Sequence, residues 1–264
     1  MYKHCHNNAL IVVILRRQAT LDGRPLTNNE LKKLVTSNLS RANPWTLVNK
    51  LIIQLMTTAA MREIEIVTLV VSDFISANGE LNELFIIDAE RAFNGRERPV
   101  LFSHDGLKQS LEQYIMLLKA EQVLTSPLDS YLGLCPTALF IVNPDTFQPF
   151  GIQKRGTKAG GAVNYAPYTL NRYVDKLIAN AELSEIGINR KSLTRLYVIE
   201  AYKSDISIKD ICLTSGLSVD TIMKVLAMDL SQYSPLVQWW DKREQAKEAR
   251  INRMKKVRQW TFRD

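Results

Sequence analysis

The chain has 264 residues, enough to bury one large core or two small ones, and its 46% hydrophobic and 23% charged residues are typical of a globular protein. Lys and Arg outnumber Asp and Glu by 34 to 27, which favours a polyanionic partner but does not decide the fold. The cysteines, Cys5, Cys135 and Cys212, are few and far apart, which argues against a disulfide scaffold and favours a cytoplasmic protein.

The first 25 residues are predicted to form an N-terminal arm. Its apolar stretch "ALIVVIL" (residues 9–15) is too short to span a bilayer, so we expect a strand or a short buried segment and no membrane span. "HCHNN" contains His4, Cys5 and His6, but no second pair of ligands follows at the spacing of a structural zinc site. We therefore expect no metal site and no cofactor.

Strong start signals mark the first helices. In "LTNNELKKL", Thr27 can cap the amide of Glu30, and Glu30 can return the hydrogen bond. In "NPWTLVNKLIIQLM", Asn43 is the predicted cap and Pro44 the first helical residue. The apolar residues of this helix recur at helical spacing and should face the core: Leu47, Val48, Leu51, Ile52, Leu55 and Met56. "REIEIVTLVVSDF" is predicted to continue as a further helix.

The hydrophobic period changes in the middle of the chain. "ELFIID" and "RPVLF" are predicted strands, and the Asn-Gly signal in "FNGR" predicts a hairpin turn between them. "DGLKQSLEQYIMLLKAEQ" is helical, "LFIVNPDT" is a short buried strand, and "QKRGTKAGGAVNYAP" is a basic, glycine-rich loop. Four more helices follow, in "YTLNRYVDKLIANAEL", "SLTRLYVIEAY", "SIKDICLTSG" and "SVDTIMKVLA", before a helix-prone charged tail. The fold class is therefore mainly α with a small β-hairpin or sheet.

Residues 208–226 have the pattern of a helix-turn-helix. Gly216 would supply the turn and Ser218 the cap of a recognition helix, on which Asp220, Thr221 and Lys224 would face a DNA groove. The local pattern leaves open whether this pair of helices is a DNA reader or part of a larger fold.

Two arginines lie in apolar surroundings. Arg62 lies at the junction of two apolar helices and Arg195 near the start of another. A guanidinium beside the free amides of a helix start can clamp a phosphate, but it can also extend from a helix face to a carboxylate such as that of Glu65. The residues alone favour the second, structural interpretation for either arginine.

A known family has a similar pattern. "MREIEIVTLVVSD" resembles the first active-site box of the tyrosine recombinases, the phage-integrase superfamily, whose arginine, glutamate, leucine and aspartate fall on Arg62, Glu65, Leu69 and Asp73. The order of elements around this box also resembles that family, from about residue 26 to about residue 226.

Two further segments extend the resemblance. "GRERPVLF" is similar to the returning strand of the family's hairpin, with Arg98 at its recurring arginine. "SLTR" falls where the family has its second box, His-x-x-Arg, and places Arg195 at the arginine. The family also has two helices joined by a glycine-containing turn where this chain has residues 208–226. The resemblance implies that both box arginines bind one phosphate.

The chain departs from the family at the other catalytic positions. Phe93 falls near the hairpin lysine, Ser192 at the second-box histidine, Gly216 at the next His or Trp, and Val225 close to the nucleophilic tyrosine. The resemblance therefore implies a phosphate clamp without its proton-transfer groups and nucleophile. Tyr233 is the nearest candidate for a replacement nucleophile.

These observations predict a tyrosine recombinase catalytic-like domain in residues 26–235 and a basic helical tail in residues 236–264. We expect the chain to bind double-stranded DNA, with no small-molecule substrate, and to take part in DNA recombination or integration in a mobile genetic element as a pseudoenzyme. The tail would contact DNA or, through its final helix, a second copy of the chain. The predicted DNA contacts are Arg62, Arg98, Lys154, Arg155, Lys158, Lys191, Arg195, Lys224, Arg250 and Arg253, and the predicted catalytic residues are Arg62, Arg195 and Tyr233.

Two alternatives stay open. One is an atypical active recombinase or DNA-nicking enzyme that uses Tyr233. The other is a transcriptional regulator that reads DNA through residues 218–226.

Overall fold

The computed structural model describes residues 23–157, 163–228, 243, 246–252 and 254. The α-helices there with assigned bounds are α1 (Asn28–Ser37), α2 (Leu47–Thr58), α3 (Glu63–Ile66), α4 (Val71–Phe74), α5 (Asp105–Ala120), α6 (Tyr168–Asn180), α7 (Arg190–Lys203), α8 (Ile208–Ser215) and α9 (Val219–Leu226). The strands are β1 (Leu84–Ile87), β2 (Arg98–Leu101), β3 (Gln153–Thr157) and β4 (Val163–Ala166). The described chain is therefore mainly helical with small antiparallel sheets, as its sequence predicts.

The first helices begin as the sequence predicts. The amide of Glu30 donates to Thr27 Oγ1 over 3.3 Å, and the amide of Thr27 donates to Glu30 Oε2 over 2.8 Å, which completes the capping box of α1. Asn43 caps a short 3₁₀ helix, Pro44–Thr46, that leads directly into α2. The predicted apolar face of α2 is buried, with Leu47 at its margin.

The segment after α2 differs from the single helix that its sequence predicts. It forms two one-turn helices, α3 and α4, separated by residues that pair with another part of the chain. The amide of Phe140 donates to the carbonyl of Leu69 over 2.8 Å, and the carboxylate of Asp73 accepts from the amide of Val70 over 2.9 Å. These bonds occupy the carbonyl of Leu69 and the amide of Val70. A continuous helix would need both groups for its own hydrogen bonds, so the helix is interrupted.

The first hairpin is confirmed. β1 and β2 pair antiparallel, with Leu84 opposite Leu101 and Ile87 opposite Arg98. The connection, however, spans residues 88–97, and is longer than the tight turn that the Asn-Gly signal predicts.

The predicted glycine-rich loop contains a second hairpin. β3 and β4 pair antiparallel, with Gln153 opposite Ala166 and Lys154 opposite Tyr165, and a bulge follows Lys154. Residues 158–162 of that segment lie outside the described chain. The predicted strand in "LFIVNPDT" is buried from Phe140 to Val142 but makes only isolated bridges.

The remaining helices lie where their sequences predict them. A large core surrounds α2, which contacts α5 and α7. A smaller core joins α7 to α8 and α9, whose buried members include Ile211, Ile222 and Val225. α8 also contacts β2, so the predicted helix-turn-helix packs against the first hairpin and α7 as part of the same body. In the tail, residues 243, 246–252 and 254 are helical.

Candidate functional site

The structure brings the two box arginines together. Arg62 occupies the N-cap position of α3, and its Nη1 donates to Thr194 Oγ1 over 2.8 Å. Thr194 precedes Arg195 in α7, and the two arginines are close enough for their charges to repel. Arg195 Nη1 donates to the carbonyl oxygen of Gly23, which lies just before α1. Three distant parts of the chain therefore meet at one cationic site.

The environment of Arg62 is partly desolvated. Burial lowers the pKa of its guanidinium, and the nearby charges of Arg98 and Arg195 act in the same direction. The carboxylates of Glu63 and Glu65 oppose this effect. The guanidinium groups of Arg62 and Arg195 repel each other at this partly desolvated site. An anion bound between them would reduce that repulsion.

The carboxylate of Glu65 holds two arginines of this site in place. Its side chain is fully buried, and Oε2 accepts the amide of Arg62 over 2.7 Å, which fixes the start of α3. Arg98 also donates two hydrogen bonds to this carboxylate, from Nε to Oε1 over 3.0 Å and from Nη2 to Oε2 over 2.6 Å. This two-point ion pair couples the first box to strand β2.

The side chain of Arg98 is buried in the structure. We expected it to contact DNA, but its side chain is only 2% exposed. Besides Glu65, its guanidinium donates to the carbonyl oxygen of Thr214, at the end of α8. Arg98 therefore neutralises a buried carboxylate and connects β2 to α8, and little of its side chain is exposed to a ligand.

Arg91 also has carboxylate partners near the hairpin. Its Nη1 donates to Asp73 Oδ2 over 2.7 Å, and its Nε donates to Asp88 Oδ2 over 2.8 Å. The guanidinium also lies over the ring of Phe85, 5.9 Å from its centroid. Since Asp73 is the last residue of the first box, Arg91 connects that box to the 88–97 connection.

An aromatic ring, that of Phe93, lies near the position that the resemblance assigns to the family's lysine. The guanidinium of Arg62 lies over the ring of Phe93, 5.1 Å from its centroid. A Cβ at Gly216 would come within 2.9 Å of Phe93 Cε1. Gly216 has a φ of +66°, and its carbonyl accepts from Asn94 Nδ2 over 2.9 Å. Phe93 and Gly216 thus form an apolar, close-packed contact where the family has polar catalytic groups.

The two remaining substituted positions serve the fold. Ser192 is fully buried, and its Oγ accepts the amide of Asn189 over 3.1 Å in the cap of α7. Val225 is 1% exposed within the smaller core. The one histidine of the described chain, His104, caps α5. Tyr233 lies outside the described residues.

The other predicted DNA contacts have different surroundings. Lys154 and Arg155 are exposed on β3, and Lys191 is exposed on the first turn of α7. Lys224 is exposed on α9 but lies 2.7 Å from Asp220, and Arg250 is exposed in the tail. Lys158 and Arg253 lie outside the described residues. The structure therefore brings together Arg62 and Arg195, whereas the exposed residues Lys154, Arg155, Lys191, Lys224 and Arg250 are separate surface positions.

Sequence reasoning missed Thr194. Its side chain is buried, accepts from Arg62, and donates to the carbonyl oxygen of Lys191 over 3.2 Å. A threonine directly before the second-box arginine was a usable signal, because a hydroxyl can accept a guanidinium N–H while remaining in a helix.

The described residues contain no group of three or more His, Cys, Asp or Glu side chains placed to hold a metal ion. Among the same residues, no helix has the length and apolar character needed to cross a membrane.

Comparison with known proteins gives a match at the level of structure. Neither a protein-family model nor a curated protein matches the chain. The crystal structure of XerA recombinase is similar with a TM-score of 0.55 and 15% identity, over 84% of this chain and 66% of that one. XerH site-specific recombinase bound to a palindromic difH substrate, in a post-cleavage complex, is similar with a TM-score of 0.50 and 16% identity, over 83% of this chain and 53% of that one.

Both of these proteins are tyrosine recombinases, and the similarity covers most of the chain. At this level of identity the likeness concerns the fold, and the chain spans less than two thirds of the length of either structure. The predicted fold is confirmed: the chain resembles the catalytic domain of a tyrosine recombinase.

Proposed function

Because the chain has this fold, we propose that it binds double-stranded DNA and holds one backbone phosphate between Arg62 and Arg195. One observation carries the proposal: Arg62 is held against Thr194, the residue before Arg195, from 132 positions away in the sequence. Guanidinium groups bind phosphate oxygens with paired N–H donors, so two converging arginines are suited to that ligand. The structure of XerH with its DNA substrate supports a DNA partner for this fold.

The same site argues for impaired strand transfer. A phosphate clamp positions its ligand, but cleavage also needs a nucleophile and an acid for the leaving oxygen. The positions of those groups carry Phe93, Ser192, Gly216 and Val225, whose roles in the structure are packing and capping. The protein would then act in recombination or integration by binding DNA rather than by cutting it.

Two surfaces would extend the DNA contact. Lys154 and Arg155 lie on the exposed β3–β4 hairpin, and Lys191 lies on the same helix as Arg195. From Asp241 to Asp264 there are nine Lys or Arg and four Asp or Glu, a net charge of 9 − 4 = +5. This tail would bind flanking backbone or a second copy of the chain. Such a DNA-binding recombinase relative would serve a mobile genetic element.

The test is the salt dependence of duplex binding, measured by fluorescence anisotropy. Each phosphate neutralised contributes about 0.9 to the slope of log Kd against log salt concentration. If Arg62 and Arg195 share one phosphate, Arg62→Ala/Arg195→Ala should lower the slope by about 0.9. Two separate phosphates would instead lower it by about 1.8. Lys119→Ala, at the end of α5, is the matched control and should leave the slope unchanged.

Three results would contradict the proposal. A wild-type protein that does not bind duplex DNA would refute it outright. Binding that depends on Thr221 and Lys224 but not on Arg62 would favour reading of DNA by α9. A covalent complex with nicked duplex DNA that disappears in Tyr233→Phe would show that strand transfer persists.

A further inference from the structure

A cavity lies next to the arginine site. It has a volume of about 790 Å³ and opens between the 88–97 connection and the β3–β4 hairpin. Its walls combine aromatic and aliphatic residues with polar and charged ones: Ile64, Thr68, residues 89–95, Ile152 and Tyr165. The cavity is therefore a groove between two hairpins with mixed apolar and polar walls.

Tyr165 provides an accessible ring in this cavity. Its side chain is 56% exposed, although it lines the groove. Ile152, just before β3, is 41% exposed and lines the same groove. Covering exposed apolar side chains of this kind with a flat, largely apolar group is favourable, because it removes apolar surface from water.

Positive charge lies on the same face of the hairpin as Tyr165. Lys154 is directly opposite Tyr165 in the β3–β4 pair, and directly opposed residues share a face of the sheet. Arg155 follows at the bulge, and both cations are exposed. Within the described part of the chain, neither cation forms an ion pair with a carboxylate.

Phe93 connects the cavity to the phosphate clamp. It is one of the residues lining the cavity, and its ring is the one against which the guanidinium of Arg62 rests. A strand whose phosphate is held by Arg62 therefore has the cavity as its immediate neighbour.

The charges inside and outside the cavity indicate where the base and the phosphate of such a strand would bind. Glu90 lines the cavity, and the lining residue Arg91 is neutralised by Asp73 and Asp88. A phosphate inside the groove would meet a carboxylate, whereas Lys154 and Arg155 offer cations outside it. The groove thus suits an uncharged aromatic ring attached to an anionic backbone.

We propose that this cavity takes up an unpaired nucleobase, which stacks on Tyr165 while the adjoining phosphate is bound by Lys154. The proposal rests on the DNA-binding function proposed above and adds a preference for DNA with an extrahelical base. Aromatic side chains stack on bases of any sequence, so the preference would be for unpaired structure rather than for a given base.

The experiment compares two duplexes of the same sequence, one fully paired and one with a single bulged adenine. Stacking on one aromatic ring corresponds to a preference of about tenfold in Kd for the bulged duplex. Tyr165→Ala should abolish this preference without changing the affinity for the paired duplex, and Tyr165→Phe should keep it. Tyr168→Ala, which removes an exposed ring at the start of α6, is the control and should behave as wild type.

The outcomes separate this proposal from the proposed function. Equal affinity of the wild type for both duplexes would overturn the base site and leave the phosphate clamp standing. Absence of binding to either duplex would overturn the clamp as well. Free dAMP provides the second arm: saturable binding of dAMP that requires Tyr165, without any preference for the bulge, would assign the cavity to a free nucleotide and refute the strand-bound base.

Discussion

Replacing Arg98 with methionine tests whether the buried ion pair between Arg98 and Glu65 stabilises the fold around the cationic site. Arg98→Met keeps much of the side-chain volume but removes two hydrogen bonds to Glu65, of 3.0 and 2.6 Å, and leaves a fully buried carboxylate without its counter-charge. Removing one partner of such a pair costs about 3–5 kcal/mol in the free energy of unfolding. For a domain of this size, that corresponds to a fall in Tm of about 6–20 °C.

The assay is urea denaturation followed by circular dichroism, with duplex binding measured on the same variants. Arg96→Met, at an exposed position in the same connection, is the control and should change stability by less than about 0.5 kcal/mol. Arg98→Met/Glu65→Gln should be less destabilised than the sum of its single variants, because the double variant leaves no unpaired charge.

The salt slope of DNA binding decides between the two roles of Arg98. A buried structural arginine contributes nothing to it, so folded Arg98→Met should have the slope of the wild type. If Arg98→Met is as stable as Arg96→Met and lowers the slope by about 0.9, Arg98 contacts a phosphate and the reasoning from burial is wrong.

Two further predictions concern contacts around Arg62. Gly216→Ala should lower the free energy of unfolding by about 2 kcal/mol or more, because φ is +66° and the new methyl group would lie 2.9 Å from Phe93 Cε1. Urea denaturation measures this change, and a value below about 0.5 kcal/mol would mean that the contact is loose. Thr194→Val should weaken both stability and duplex binding by about 1 kcal/mol, roughly fivefold in Kd, because Arg62 loses a 2.8 Å hydrogen bond, whereas Thr194→Ser should restore both. Unchanged DNA affinity in Thr194→Val would show that Arg62 needs no support from α7.

Local signals in the sequence predicted the helices well. The capping box of Thr27 and Glu30 and the Ser218 cap of α9 each depend on residues within one turn, and the structure contains both. Arg98 could also have been placed correctly, because it lies two residues before the buried Val100 on one face of β2. The resemblance to an active-site motif directed attention to its charge instead of its position in the strand.

Other features depend on partners that are distant in the sequence. The interruption between α3 and α4 is set by pairing of Leu69 with Phe140, which no local period reveals. The β3–β4 hairpin forms in a glycine-rich segment because Lys154 and Tyr165 pair across it. The contact between Phe93 and Gly216 was visible only as two substitutions at aligned positions, and its closeness required the fold.

The hydrogen bond from Asn94 to Gly216 spans 122 residues, and the one from Arg98 to Thr214 spans 116. During synthesis, the hairpin must therefore wait for α8 before Arg98 and Glu65 are enclosed. Contacts between such distant residues slow folding, since the intervening chain has to be ordered first. A ribosome-bound chain that ends before residue 214 would keep the β1–β2 hairpin accessible to chaperones and proteases, and the site would close only after residues 214–216 have been synthesised.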